Sequence, residues 1–131
     1  MAPITAQTAD RLDAEAARTP IADVAGYLQR LLGQRMAGYL ANVADVKQIG
    51  RYQRPDGPKP GTATDRRLRA GFKIVRMIEG VYDGETARAW LFGTNTRLDD
   101  RAPIGVLREA TSEQDFTDVV RAARAFASAD A

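Results

Sequence analysis

The sequence predicts an all-α protein, and three observations predict it. Apolar residues recur at i, i+3, i+4 and i+7 through most of the chain, which is the spacing of one helix face. No run of four or more residues alternates with period two and β-branched enrichment between turns, so no strand is expected. Helix-start and helix-stop residues flank the periodic stretches where caps are needed. At 131 residues the chain has room for one sizeable core, or for two small helical lobes sharing one.

The elements follow in order. Residues 1–18 are low in hydrophobicity and read as a flexible N-terminal tail with at most a frayed turn of helix. Thr19 as N-cap and Pro20 in the first helical position open a helix carrying Ile21, Val24, Leu28 and Leu31, and Gly33 ends it. A short second helix covers Gln34 to Ala41, and Asn42, a residue that tolerates a left-handed backbone, marks the turn after it. A third is expected from about Ala44 to Gln53, burying Val46 and Ile49 while projecting Lys47, Gln48, Arg51 and Arg54. Pro55 to Gly61 is the one Pro/Gly-dense stretch and reads as a loop and internal hinge.

Thr64 or Asp65 caps a long helix, Arg66 to about Val81. It bears two apolar stripes, Leu68, Phe72, Val75 and Ile78 beside Ile74, Met77 and Val81, as a helix packed on both sides should. Gly71 within it costs about 1 kcal/mol relative to Ala, which a close helix crossing would explain. Asp83 caps a fifth helix with Ala87, Trp90 and Leu91, ended by Gly93. The loop Thr94–Arg101 leads to a helix from Ala102 to Glu109 with Pro103 at its start, for which Asp100 is a candidate cap. Ser112 with Asp115 forms a capping box for the last helix, whose Phe116, Val119, Val120, Ala123 and Phe126 share one side. The chain thus divides into a tail (1–18), a helix-turn-helix-like region (19–61) and a helical C-terminal domain (62–131).

Charge is distributed unevenly. Between Arg30 and Arg76 there are eleven Lys/Arg against three Asp/Glu, an excess of eight, so the rest of the chain carries a net charge of −6. One half suits nucleic acid and the other a protein partner. There is no Cys and no His, hence no disulfide framework, no thiolate and no imidazole base or ligand. Asp99-Asp100 stands without an adjacent base, nucleophile or ligand cluster, and no Gly-rich loop could cradle a phosphate. The expectation is a protein that is not an enzyme and uses no metal or cofactor. The start lacks a basic segment leading into an apolar run, and no stretch approaches membrane-spanning length, so a cytoplasmic location is expected.

The three helices from Ile21 to Arg54 have the order of a helix-turn-helix, whose last helix lies in the major groove. Lys47, Gln48, Arg51 and Arg54 supply donors for phosphates and base edges and are the candidate DNA-binding residues. Tyr52 either packs inward or lies on the sugar-phosphate backbone.

Leu40-Ala41-Asn42-Val43, Val46 and Ile49-Gly50-Arg51-Tyr52 resemble a run of Xre-type helix-turn-helix domains. More specifically, Thr86 to Asn95, Leu98 to Pro103 and Val106 to Glu109 resemble the toxin-binding domain of Xre/MbcA/ParS-type antitoxins, the whole likeness covering residues 20 to 128. The chain differs from the family pattern at Asn42, Tyr52 and Thr96, where Gly, Trp and Pro are usual. The resemblance implies an antitoxin that binds and blocks a RES-domain toxin, an enzyme class that degrades NAD, and that represses its own operon by binding operator DNA. It implies a toxin-facing surface of Trp90, Asn95, Leu98, Asp99, Asp100, Arg101, Arg121 and Arg124. A homodimer, or a hetero-oligomer with the toxin, fits that role. The alternative is a helix-turn-helix regulator without a toxin.

Overall fold

Leu68, Phe72, Ile74, Val75, Met77 and Ile78 are all buried, which places the long helix that bears them at the centre of the molecule. The computed structural model describes residues 4–128. These form α1 (Ala6–Arg18), α2 (Ile21–Leu32), α3 (Gln34–Ala41), α4 (Gln48–Tyr52), α5 (Thr62–Val81), α6 (Gly84–Phe92), α7 (Pro103–Glu109) and α8 (Glu113–Ala127), with a 3-10 turn at Thr96–Leu98. The all-α class holds, with no strand among the described residues. Around α5 pack α1, α2, α3, α6, α7 and α8, while α4 rests on α2 and α3. One apolar cluster runs from Ala16 to Ala127 and draws on every α-helix.

Four local features act as the residues dictate. A Cβ on Gly71 would stand 2.8 Å from Leu40 Cδ1, so α3 crosses α5 at the point where a side chain is missing. Gly33 and Asn42, at φ 84° and 57°, turn the chain sharply on either side of α3. Ser112 and Asp115 form the reciprocal capping box that opens α8. Asp83 caps α6 by accepting from the Thr86 N–H at 2.7 Å.

Elsewhere the elements differ from expectation, each for a visible reason. Residues 6–18 are not a loose tail but the helix α1, because α5 holds it. Lys73 pairs with Asp13, Arg76 clasps Glu15 with two nitrogens at 2.8 and 3.3 Å, and Arg69 donates to the carbonyls of Ala16 and Thr19 at 2.7 and 2.8 Å. Thr19 consequently closes α1, its hydroxyl donating to Glu15 O, and Pro20 takes the N-cap place of α2. The third predicted helix shrinks to five residues. Residues 45–50 run as i to i+3 turns, and the Asp45 carboxylate takes the Lys47 N–H at 3.0 Å, which competes with helix formation. Helix α5 starts at Thr62 behind an extended Gly61, leaving Asp65 to pair with Arg69. The N-cap of α7 is Ala102, not Asp100, since Asp100 sits in a left-handed turn.

The cations of α5 are built into the fold. Arg67 is only 8% exposed and donates to the carbonyls of Leu107 and Ala110 at 3.2 and 2.8 Å, so it terminates α7. Arg66 pairs with Glu113 at 3.1 Å. The cations of α5 therefore face acids of α1, α8 and α5 itself or carbonyls of α1 and α7, and are not displayed as one patch.

Candidate functional site

Two surfaces remain after the structural charges are set aside. The first is a groove of about 490 Å³ between the end of α6, the loop after it and α8. Trp90, Ala122, Ala125 and Phe126 make it apolar, while Thr94, Asn95, Thr96 and Arg97 line it with hydrogen-bonding groups. Helical spacing brings Ala122, Ala125 and Phe126 to one side of α8. The Trp90 and Phe126 rings are 6.3 Å apart at 35°, and Tyr82 supports Phe126 from behind at 5.1 Å. Both groove aromatics are half-buried, so each is seated on the core yet keeps surface free for contact.

The loop that walls this groove is held from within. The Asn95 carbonyl accepts from the N–H groups of Leu98 and Asp100, its side chain accepts from the Arg97 N–H, and its own N–H donates to Arg101 O at 3.1 Å. Between them, Leu98 to Arg101 is a reverse turn closed by the Arg101 N–H on Leu98 O at 3.1 Å, with Asp99 and Asp100 both left-handed at φ 57° and 61°. The Arg101 guanidinium also donates to Leu98 O. Leu98 is 2% exposed and anchors the loop in the core.

Of the residues assigned to the partner surface, Trp90 and Asn95 thus line the groove together. Leu98 is a core residue, and Asp99, Asp100 and Arg101 make the turn beyond the groove. Arg124 is exposed on α8, and Arg121 lines a different cleft of about 560 Å³ between α1, α5 and α8. That cleft also holds Phe116, with the Arg66 guanidinium 4.5 Å from its ring centre. The sequence did not point to Ala122, Ala125 or Phe126 as contacts; Phe126 read only as part of the apolar side of the last helix. Their common signal would have been the register of α8 against the loop, which depends on how α8 packs on α5.

The second surface is polar and basic, on α2, α3 and α4. The Gln53 amide donates to Gln29 Oε1 at 2.6 Å, joining α4 to α2, and the Arg30 guanidinium and the Gln53 amide both lie against Gly26. The Gln34 amide lies against Gly50. Lys47 and Arg54 flank α4 and are exposed, as are Arg30 and Arg35 at the α2–α3 corner. Arg51 is half-buried and donates to Gln48 at 2.7 Å, with Asp45 at 3.5 Å, so the four predicted DNA contacts split into two free cations and one internally bonded pair. Tyr52 points inward and is buried.

No protein-family model, curated protein or solved structure matches the chain. Among the described residues no three His, Cys, Asp or Glu side chains gather as metal ligands, and no helix is long and apolar enough to cross a membrane. The perturbed carboxyls are structural ones. Glu15 lies below its usual range because the Arg76 guanidinium bonds it, Asp83 because it caps onto Thr86, and Asp115 because the Thr111 and Ser112 N–H groups donate to it.

Proposed function

We propose that this protein is an antitoxin that binds a RES-domain toxin and blocks it, contributing no chemistry of its own. The observation that carries the reading is the groove of Trp90, Asn95 and Phe126, in which Trp90 and Asn95 belong to the stretch whose residues resemble the toxin-binding domain. A half-buried aromatic pair beside a hydrogen-bonding loop has the make-up of a contact hot spot, large apolar area with donors and acceptors at the edge. The internal bonds of the loop keep it in one shape, so little conformational entropy is lost on binding. Inhibition then needs only occupation of the toxin's substrate entrance, which excludes NAD. Such a partner acts where NAD is consumed, in the cytoplasm, and two copies of the chain related by a two-fold axis would serve a two-toxin assembly.

The test is co-expression with a RES-domain protein. The two chains should co-purify, cellular NAD should be preserved and growth restored. Trp90→Ala and Phe126→Ala should each weaken the complex by about 2 kcal/mol, some thirtyfold, while circular dichroism stays helical. Failure of the wild-type chain to co-purify or to rescue growth would overturn the proposal.

A further inference from the structure

The cleft of about 560 Å³ between α1, α5 and α8 belongs neither to the groove nor to the helix-turn-helix-like region. Helices α1 and α8 both pack on α5 but scarcely on each other, and the gap between them is the cleft. Its floor is hydrocarbon, from Ala16 and Ala17 of α1, Ala70 of α5 and Phe116 and Val120 of α8. Alanine at three of these places leaves the space that a longer side chain would fill. Around the floor stand four cations and three acids, and each acid holds one cation: Glu113 pairs with Arg66 at 3.1 Å, Asp65 with Arg69 at 2.8 Å, and Asp13 with Lys73. Arg121 is the cation left over. It is exposed and forms no ion pair with a described residue, and Asp118, on the same helix, accepts from the Gln114 amide instead. Thr117 lines the cleft one turn before Arg121, on the same side of α8.

We propose that this cleft binds a small amphipathic carboxylate, a medium-chain aliphatic acid whose carboxylate meets Arg121 and Thr117 and whose chain lies on the hydrocarbon floor. One unmatched guanidinium beside uncovered hydrocarbon calls for a ligand with one negative charge and an apolar body. A guanidinium bonds a carboxylate with two parallel N–H donors, and the threonine hydroxyl supplies another. The volume falls in the range of small-molecule sites. From Glu113 to Arg121 helix α8 rises about 12 Å, which an extended chain of about ten carbons spans. A chain suits the floor better than a flat ring, because the Arg66 guanidinium already lies 4.5 Å from the centre of Phe116, the one aromatic ring there, and the remaining floor is aliphatic. A polypeptide suits it less, since backbone N–H and C=O groups need partners and the other charged groups of the cleft are engaged with each other. The inference goes beyond the toxin-blocking reading, and the cleft shares no residue with the groove.

The experiment is isothermal titration calorimetry of the full chain with sodium decanoate, sodium hexanoate and decylammonium chloride. Expected is one saturable equivalent of decanoate with a Kd of about 0.5 mM, as befits a ligand of this size in an open site. Hexanoate should bind about tenfold more weakly, because an open cleft recovers roughly half the transfer free energy of each methylene, and decylammonium more weakly still. Arg121→Gln should weaken decanoate at least fivefold and leave decylammonium unchanged. Ala70→Leu should fill the floor and abolish binding of both acids, with circular dichroism reporting whether the variant folds. Should it not fold, Arg121→Gln, a change at an exposed position, still decides the matter. No saturable binding of decanoate, or several equivalents bound as a surfactant binds, overturns the proposal. So does equal affinity for decylammonium, or decanoate binding that Arg121→Gln leaves intact. Tighter binding of a peptide ending in three leucines with a free carboxylate also overturns it, by naming a polypeptide as the ligand. Decanoate binding that survives Trp90→Ala separates the cleft from the groove, and binding lost with that substitution overturns the assignment to the cleft.

Discussion

At the scale of single residues, several charged side chains of this protein act as structural fasteners. Arg67 is the plainest, because its buried guanidinium has carbonyl partners at the end of α7 and no carboxylate. Arg67→Met keeps the apolar stem but leaves Ala110 O without a donor and Leu107 O with the Ala110 N–H alone. We expect a loss of about 3 kcal/mol in urea unfolding, from two charge-assisted hydrogen bonds to buried acceptors. Glu15 provides a pH readout. Its bond to Arg76 holds the carboxyl below the usual glutamate range in the folded protein, so its contribution is complete above that range and is lost as pH falls through the depressed value. Glu15→Gln should therefore be less stable than the parent near neutral pH, and the difference should vanish at strongly acidic pH. Thermal unfolding of both proteins across pH 7 to 2 checks the sign.

At the scale of elements, the helix pattern was legible wherever burial follows a 3.6-residue period. The stripes of α5, the C-terminal end of α2, both ends of α3 and the capping box of α8 could all be read from sequence, because each rests on interactions within a few residues. Helix α1 could not. It buries little beyond Ala9 and Ala16, and its order comes from Asp13, Glu15 and the carbonyls of its last turn, all answered by α5 more than fifty residues away. The crossing of α3 over α5 joins the two kinds of information. Gly71 signalled a close approach, and the structure supplies Leu40 as its partner. Gly71→Ala gains about 1 kcal/mol of helix propensity but pushes a methyl group against a fully buried side chain. The expected net is a loss of about 1 to 2 kcal/mol. Combining it with Leu40→Val should cost less than the two single changes together, a non-additivity readable by denaturant unfolding.

At the scale of the whole molecule, charge and function separate differently from their order along the chain. The sequence has a basic middle, yet α5 turns its cations toward α1, α7 and α8, so the exposed, unpaired cations of that middle lie on or beside α2, α3 and α4 and in the loop after them. The groove likewise joins the segment from Trp90 to Arg97 with Ala122, Ala125 and Phe126, to which no local spacing relates it. Trp90 and Asn95 were legible as candidates because they stand in one motif. Ala122, Ala125 and Phe126 were not, because their adjacency to that motif is a consequence of how α8 lies across the loop.

By itself the sequence determined the helical class, most helix ends and the residue types available for contact, since periodicity and capping depend on neighbours three or four positions away. Only the tertiary structure decided which charges are free and which aromatics meet. Those are properties of pairs distant in sequence: a cation becomes a fastener or a contact according to whether folding brings an acid or a carbonyl within bonding distance of it.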